Sequence, residues 1–215
     1  MITVLLTDDH TLVRTGIKRL LEDSKQVEII GEASCGEDSL DLAHKLKPDV
    51  ILMDVNMPGI GGVEACRRIL IRNPSQKIIV LTIYTEKIFP KRMLEIGAKG
   101  YLTKECGIAE MIEAIRVVKG GGAYIEPAIA QQLALSLLPG NAENLIDRLS
   151  RREFQVMLMI SYGMSNLQIS EKLCLSPKTV STYRLRLLQK LGANNEVDLL
   201  KIAVEQGMVE FASSE

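Results

Sequence analysis

The chain has 215 residues, a formal net charge of −1 and a hydrophobic fraction of 47%, a composition typical of soluble proteins with one or two domains. Two acids interrupt the apolar start of the chain, and no apolar stretch reaches the roughly 18 residues that a membrane span needs. We therefore expect no signal peptide and no membrane segment, and predict a cytoplasmic protein. Four widely separated cysteines and only two histidines argue against a zinc site.

The first 119 residues alternate between short aliphatic runs and segments with helical periodicity. Strands are predicted at Ile2–Thr7, Val27–Ala33, Val50–Met53, Lys77–Leu81 and Gly100–Leu102. Helices are predicted at Thr11–Glu22, Glu37–Leu46, Val63–Ile71, Lys87–Ile96 and Ile108–Lys119. This alternation indicates right-handed βαβ units. The predicted fold class is therefore α/β, a doubly wound five-stranded parallel sheet with the flavodoxin-like strand order 2-1-3-4-5.

The alternation ends at Gly120–Gly122. A weakly helical stretch at Ala128–Leu138 and a loop at Pro139–Asn141 follow, so residues 120–147 are predicted to form a partly helical linker. From residue 148 to residue 215 the strand signal is absent, which predicts a small all-α domain. Its four helices are expected at Arg151–Tyr162, Asn166–Leu173, Pro177–Leu191 and Glu196–Gln206.

Chemically active side chains follow the strands of the predicted sheet. Asp8 and Asp9 follow the first strand and Asp54 follows the third, and these strands are neighbours in the predicted order. Carboxylates that converge repel one another and need a cation, and an all-oxygen set suits Mg²⁺. A carboxylate beside Mg²⁺ can attack a phosphoryl group. Thr82 and Lys104 would supply the hydroxyl and the ammonium that an aspartyl phosphate binds.

The last domain has the capping residues and the charge distribution of a helix-turn-helix. Ser176 and Pro177 begin a helix in the way that favours helix initiation. Between Glu171 and Glu196 the chain has no acidic residue. The basic residues in that interval are Lys172, Lys178, Arg184, Arg186 and Lys190. A basic helix after a short turn predicts an anionic partner, and such a helix fits the major groove of DNA.

The first 120 residues resemble the receiver domains of two-component response regulators. The motifs that carry this resemblance are Asp8-Asp9, Met53–Gly59 (Met-Asp-Val-Asn-Met-Pro-Gly), Thr82 and Tyr101–Lys104. The resemblance implies that Asp54 accepts the phosphoryl group. It also implies that Asp9, Asp54 and the Asn56 backbone carbonyl ligate Mg²⁺ directly, while Asp8 acts through water.

The same resemblance assigns roles to three further residues. Thr82 would bind a phosphoryl oxygen, Lys104 would pair with the phosphoryl group, and Tyr101 would change rotamer as Thr82 moves. His10 follows the acids but is not part of the quoted motifs, so we place it on the surface.

The stretch from Leu149 to about Leu200 resembles the LuxR-type (NarL/FixJ) effector domain. The motifs are Arg152-Glu153, Gly163–Asn166, Leu175–Val180 and Lys190-Leu191. Within Thr179–Arg184, Tyr183 replaces a more usual histidine, which is similar to the GacA/UvrY branch. The resemblance implies a GacS/BarA-like hybrid sensor histidine kinase as partner, promoters of small regulatory RNAs as targets, and a homodimer when phosphorylated.

The predicted helix Pro177–Leu191 is the recognition helix of this motif. On it, we place Ser181, Thr182 and Arg184 near base edges of promoter DNA. Lys178, Tyr183 and Lys190 are expected to contact phosphates.

We therefore expect a phosphorylation-controlled transcription regulator rather than an enzyme, in which phosphorylation of Asp54 relieves inhibition by the receiver and promotes dimeric promoter binding. One alternative is a phosphatase or phosphotransferase with Asp54 as covalent intermediate. Against it, HAD-type phosphatases carry Asp-x-Asp at the first strand. The other alternative is a DNA-binding module that works without phosphorylation, which the intact set of acids, Thr82 and Lys104 disfavours.

Overall fold

A computed structural model describes residues 1–82, 88–136, 145–206 and 208 of the chain. The chain divides into two compact units, Met1–Leu135 and Ser136–Glu215. In the part of the chain that is described, no helix is both long enough and apolar enough to cross a lipid bilayer.

The first unit is built on a parallel sheet. Its strands are β1 (Ile2–Thr7), β2 (Val27–Ala33), β3 (Val50–Asp54), β4 (Lys77–Thr82), β5 (Gly100–Thr103) and β6 (Tyr124–Ile125). They pair in the order β2-β1-β3-β4-β5-β6, which confirms the predicted α/β class and the order of the first five strands. The predicted count of five is corrected to six, because β6 lies in the segment predicted as linker. Two residues are too few to show strand periodicity, and only pairing with β5 defines this strand.

Helices cover the sheet. They are α1 (Thr11–Asp23), α2 (Gly36–Leu46), α3 (Gly61–Arg72), α4 (Ile88–Ile96), α5 (Ile108–Lys119) and α6 (Pro127–Ser136). The central strand β3 is buried along its whole length, as expected for a strand covered on both faces. The predicted start of α4 at Lys87 and the predicted loop at Pro139–Asn141 lie outside the described residues.

The parallel register brings the carboxyl ends of β1, β3, β4 and β5 to one edge of the sheet. Thr7 is level with Met53, Asp54 with Leu81, and Thr82 with Thr103. The residues that follow these strands therefore lie close together, as the sequence predicted.

Gly62 allows α3 to start directly against the end of β3. A Cβ atom at this position would lie 1.8 Å from the Asp54 carbonyl oxygen, so only glycine fits. The Gly62 amide donates to the Val55 carbonyl at 3.1 Å and fixes this approach.

The second unit is helical in its described part. A 3₁₀ turn at Leu145–Arg148 precedes α7 (Arg151–Ser161), α8 (Asn166–Leu173), α9 (Pro177–Leu191) and α10 (Glu196–Glu205). Ser150 and Ser165 form capping boxes with Glu153 and Gln168, and Ser176 caps α9. The predicted all-α domain with a helix-turn-helix is confirmed.

The structure places part of the predicted linker against the first unit. β6 and all of α6 except its last residue, Ser136, belong to the first unit, and Ile129 of α6 is buried. The domain boundaries at residues 119 and 148 stay predictions.

Candidate functional site

Three carboxylates meet at the carboxyl edge of the sheet. Asp8 and Asp54 are almost fully buried, whereas the side chain of Asp9 is partly exposed. One potential ligand atom from each of Asp8, Asp9, His10 and Asp54 lies within 4.8 Å of the others. The structure thus brings together the acids that the sequence singled out.

Lys104 bridges two of these acids. Its Nζ atom lies 2.8 Å from Asp8 Oδ2 and 2.8 Å from Asp54 Oδ2. The Lys104 backbone amide donates to the Thr82 carbonyl at 2.7 Å, which fixes the base of the side chain beside β4. One ammonium does not balance three ionised carboxylates, so the cluster retains an excess of negative charge.

Burial and charge act in opposite directions on the two central groups. Burial raises the pKa of Asp54 to about 6, against the opposing attraction of Lys104. Burial alone would lower the pKa of Lys104, but the neighbouring Asp54 and Asp8 carboxylates hold it above its usual value. Lys104 therefore stays charged and stabilises the ionised form of Asp54.

The donor set fits a hard cation. Two buried carboxylate oxygens, Asp8 Oδ2 and Asp9 Oδ1, receive no hydrogen bond of favourable geometry, although Lys104 Nζ lies close to the first and His10 Nδ1 close to the second. The Asn56 amide donates to Asp54 Oδ1 at 3.0 Å, so the backbone of Asn56 runs beside the phosphorylation candidate. Carboxylates and a nearby backbone are the oxygen-rich surroundings that Mg²⁺ prefers.

His10 is exposed, as predicted, but it also joins the cluster, which the sequence interpretation missed. Its Nδ1 atom lies 2.9 Å from Asp9 Oδ1 and 3.6 Å from Asp8 Oδ1, and its backbone amide donates to Asp8 Oδ1 at 2.8 Å. Its position next to two acids at a strand end was the available signal.

Thr82 and Tyr101 form a buried pair next to the cluster. Both are fully buried, and the Tyr101 side chain is hydrogen-bonded to Thr82. Burial raises the pKa of the Tyr101 hydroxyl, so it remains a neutral group. This contact is compatible with the predicted rotamer change of Tyr101 as Thr82 moves, which stays a prediction.

One exposed face of α9 carries three of the six predicted DNA contacts. Lys178, Ser181 and Thr182 are exposed and follow one another at helical spacing. The Ser181 hydroxyl donates to the Pro177 carbonyl at 3.1 Å and also accepts from Asn166 Nδ2 at 3.1 Å. Leu185 continues the same face and is 56% exposed, an apolar residue that the sequence interpretation did not select. Its spacing of four residues from Ser181 was the available signal.

The other three predicted contacts are engaged within the domain. Arg184 donates to the Met164 carbonyl at 2.8 Å and forms an ion pair with Glu196. Lys190 Nζ lies 2.7 Å from the Glu153 carboxylate.

Tyr183 is half-buried, and the guanidinium of Arg186 lies 6.0 Å from its ring centroid. Arg184 is half-buried, and Lys190 is exposed but paired with Glu153, so the DNA contacts of both stay predictions.

Two family models match the chain. Residues 4–116 match the response regulator receiver domain, and residues 147–203 match the bacterial regulatory proteins of the luxR family. The chain belongs to the LuxR-type response regulators. The matched ranges contain the acidic cluster with Lys104 and the recognition helix α9, respectively.

Relatives of this response regulator match over nearly the whole chain. Response regulator GacA of Pseudomonas aeruginosa is 53% identical, and the match spans 99% of this chain and 100% of GacA. Response regulator UvrY of Escherichia coli K12 is 48% identical over 97% of this chain and 96% of its own. RcsB from Salmonella enterica serovar Typhimurium, solved bound to the promoter P1flhDC with phosphomimetic BeF3⁻, has a TM-score of 0.76 and 26% identity over 95% of this chain and 98% of its own.

These matches establish the class of function. The chain is a DNA-binding transcription regulator under phosphorylation control and works with a cognate kinase. The acids in contact with Lys104 suit phosphorylation, and the exposed face of α9 suits DNA binding.

Proposed function

We propose that Asp54 is the phosphorylated residue of this response regulator and that its phosphorylation relieves inhibition of DNA binding by the receiver. The observation that carries this proposal is the ion pair of 2.8 Å between Lys104 Nζ and Asp54 Oδ2. The ammonium holds a buried carboxylate in its ionised, nucleophilic form. It also remains available to pair with the phosphoryl group that replaces the carboxylate charge.

In the proposed reaction, a carboxylate oxygen of Asp54 attacks the phosphorus of a phosphohistidine in the kinase. The P–N bond breaks, the histidine nitrogen keeps the electron pair, and an acyl phosphate forms on Asp54. Thr82, at the end of β4, supplies a hydroxyl for one phosphoryl oxygen, and Tyr101 follows the movement of Thr82.

Asp9, Asp54 and the Asn56 carbonyl would hold Mg²⁺ directly, and Asp8 would hold it through water. When bound, the ion neutralises charge on the phosphoryl group during transfer. The support for this site is the fit of the donor set and the two carboxylate oxygens that lack a favourable hydrogen bond.

For DNA, we propose that Ser181 and Thr182 face base edges and that Lys178 contacts phosphate, since all three lie on the exposed face of α9. Tyr183, Arg184 and Lys190 would join them as further contacts after a rearrangement. For Arg184 this means leaving Glu196, and for Lys190 it means leaving Glu153.

We propose that the phosphorylated protein binds promoters as a homodimer, because one α9 contacts few phosphates and two match an inverted pair of half-sites. The similarity to GacA and UvrY supports a GacS/BarA-like hybrid sensor kinase as the donor of the phosphoryl group. The proposed organisation is a receiver at 1–119, a linker at 120–147 and a DNA-binding domain at 148–215.

The phosphorylation site is tested by incubating the protein with acetyl phosphate and Mg²⁺. The acyl phosphate is then reduced with borohydride, and the modified peptide is identified by mass spectrometry. We expect the label on Asp54 and no label in Asp54→Asn. Label on Asp8 or Asp9 in the wild type would contradict the assignment.

A further inference from the structure

Glu126 lies between the strand β6 and the helix α6, and it binds the neighbouring strand β5 twice. Its amide donates to the Tyr101 carbonyl at 3.0 Å, and its Oε2 atom accepts from the Thr103 amide at 2.7 Å. Its own carbonyl accepts from the Ala130 amide at 2.9 Å and so starts the hydrogen bonding of α6. One residue therefore joins the end of β5 to the beginning of α6.

The side chain of Glu126 extends a strand that is otherwise very short. β6 pairs with β5 only through Tyr124 and Ile125, opposite Gly100 and Tyr101. Beyond that point, the Glu126 carboxylate takes the place of a backbone carbonyl and satisfies the amide of Thr103, a residue that is almost fully buried. A charged acceptor makes a stronger hydrogen bond than a neutral one.

The two residues that Glu126 binds are adjacent to the phosphorylation site. Tyr101 is hydrogen-bonded to Thr82. Thr103 immediately precedes Lys104, whose ammonium contacts Asp8 and Asp54. Lys104 Nζ lies 2.8 Å from Asp54 Oδ2. A phosphoryl group on Asp54 adds volume and negative charge at this place, so the lysine must reposition. That movement acts on Thr103 through a single peptide bond.

The segment that receives this movement lies outside the receiver family match. The match ends at residue 116 and the match to the luxR family begins at residue 147, so Glu126 and α6 belong to the connecting segment. Ile129 anchors α6 by its burial. A displacement of β5 would therefore reach, through Glu126, the part of the chain that leads to the DNA-binding domain.

We propose that Glu126 is a positioning residue that couples the state of Asp54 to the connecting segment and thereby to DNA binding. This inference rests on the proposed function, in which phosphorylation of Asp54 controls DNA binding. Glu126 touches neither the phosphoryl group nor DNA, so its removal leaves both binding events possible and weakens the link between them.

The test compares full-length wild type, Glu126→Ala and Glu126→Gln, with Glu110→Gln as matched control. Glu110 accepts a hydrogen bond from the Tyr124 hydroxyl at 2.9 Å, so this hydrogen bond goes to β6 rather than to β5. Two quantities are measured for each protein with Mg²⁺: the affinity for beryllofluoride, and the ratio of promoter affinities with and without beryllofluoride.

We expect Glu126→Ala to bind beryllofluoride within about twofold of wild type, while its ratio of DNA affinities falls at least fivefold toward one. Glu126→Gln retains a side-chain oxygen that can accept from Thr103 and should restore most of the ratio. Glu110→Gln should behave as wild type. Faster hydrogen exchange of the Thr103 amide in Glu126→Ala, with unchanged exchange in β3, confirms that the change is local.

An unchanged ratio in Glu126→Ala, with the Thr103 amide released, overturns the inference and leaves the proposed function intact. A wild-type protein that binds beryllofluoride but shows a ratio of one overturns the proposed function and the inference with it. An equal loss in Glu126→Gln and Glu110→Gln also overturns the inference, because it assigns the effect to a general weakening of β6.

Discussion

Asp54 combines burial, which favours its neutral form, with a counter-charge, which favours its ionised form. Its pKa in the folded protein is about 6, above the ordinary value of 3.8. For an acid, a raised pKa means that the folded state binds the proton more tightly than the unfolded state. Ionisation of Asp54 therefore destabilises the fold, and stability from this group is lost as the pH rises from about 4 to about 6.

Substitution of Asp54 by Asn removes the buried carboxylate whose ionisation destabilises the fold. At pH 8 and without Mg²⁺, we expect Asp54→Asn to raise the free energy of unfolding by about 1–3 kcal/mol, since two pKa units correspond to roughly 3 kcal/mol. At pH 4, where Asp54 is protonated in the folded wild type, the difference should nearly vanish. Urea denaturation of both proteins at the two pH values measures this. An equal difference at both values would contradict the assignment of the burial penalty to Asp54.

The contact between His10 and Asp9 adds a nitrogen donor to an oxygen site. Imidazole binds Ni²⁺ better than Mg²⁺, which prefers oxygen ligands. We expect His10→Ala to weaken Ni²⁺ binding by about tenfold and to change Mg²⁺ affinity by less than about twofold. Calorimetric titration with each metal measures this, and Asp9→Asn, which should weaken both metals, is the control. Equal Ni²⁺ affinity in wild type and His10→Ala would show that the imidazole does not reach the metal.

Lys178 and Lys190 were both predicted to contact phosphate, but their surroundings differ. Both are exposed, but the Lys190 ammonium is paired with the Glu153 carboxylate. The affinity for DNA falls as the salt concentration rises. We expect Lys178→Ala to reduce the steepness of log affinity against log salt by about one for each α9 that binds. Lys190→Ala should change the slope less and serves as the comparison. A larger effect from Lys190 would mean that this residue exchanges Glu153 for phosphate in the complex.

Among the elements of the fold, α3 starts directly against the end of β3. Gly62 at its start leaves no room for a Cβ atom beside the Asp54 carbonyl. We expect Gly62→Ala to destabilise the receiver by several kcal/mol and to reduce phosphorylation of Asp54, because β3 and α3 must separate there. Gly16→Ala in α1, where nothing lies within 4 Å of the new methyl group, should instead stabilise by about 0.5–1 kcal/mol. Thermal denaturation and acetyl phosphate labelling distinguish the two variants.

The elements differ in how well their sequences predicted them. The helices of the second unit were placed within one residue at each end, because Ser150, Ser165 and Ser176 are local capping signals. β6 was missed because its pairing with β5 is a non-local contact that leaves no periodicity. The engagement of Arg184 with Glu196 was missed for the same reason, since nothing in α9 alone shows which basic residues find an internal partner.

At the scale of the whole molecule, the chain joins a phosphorylation candidate in one unit to a DNA-binding surface in another. The acids and Lys104 were predictable because parallel strands end at one edge of a sheet, so residues distant in sequence converge there. The connection between the units was not predictable to the same depth. One of its contacts, that of Glu126 with β5, depends on a short strand that only the folded sheet reveals.

The most direct test of the central claim is the promoter affinity of the full-length protein with Mg²⁺, measured with and without beryllofluoride, for wild type and Asp54→Asn. We predict that beryllofluoride tightens DNA binding by wild type at least tenfold and leaves Asp54→Asn unchanged. Equal DNA affinity of the wild type in both conditions, with beryllofluoride binding verified, would contradict control of DNA binding through Asp54.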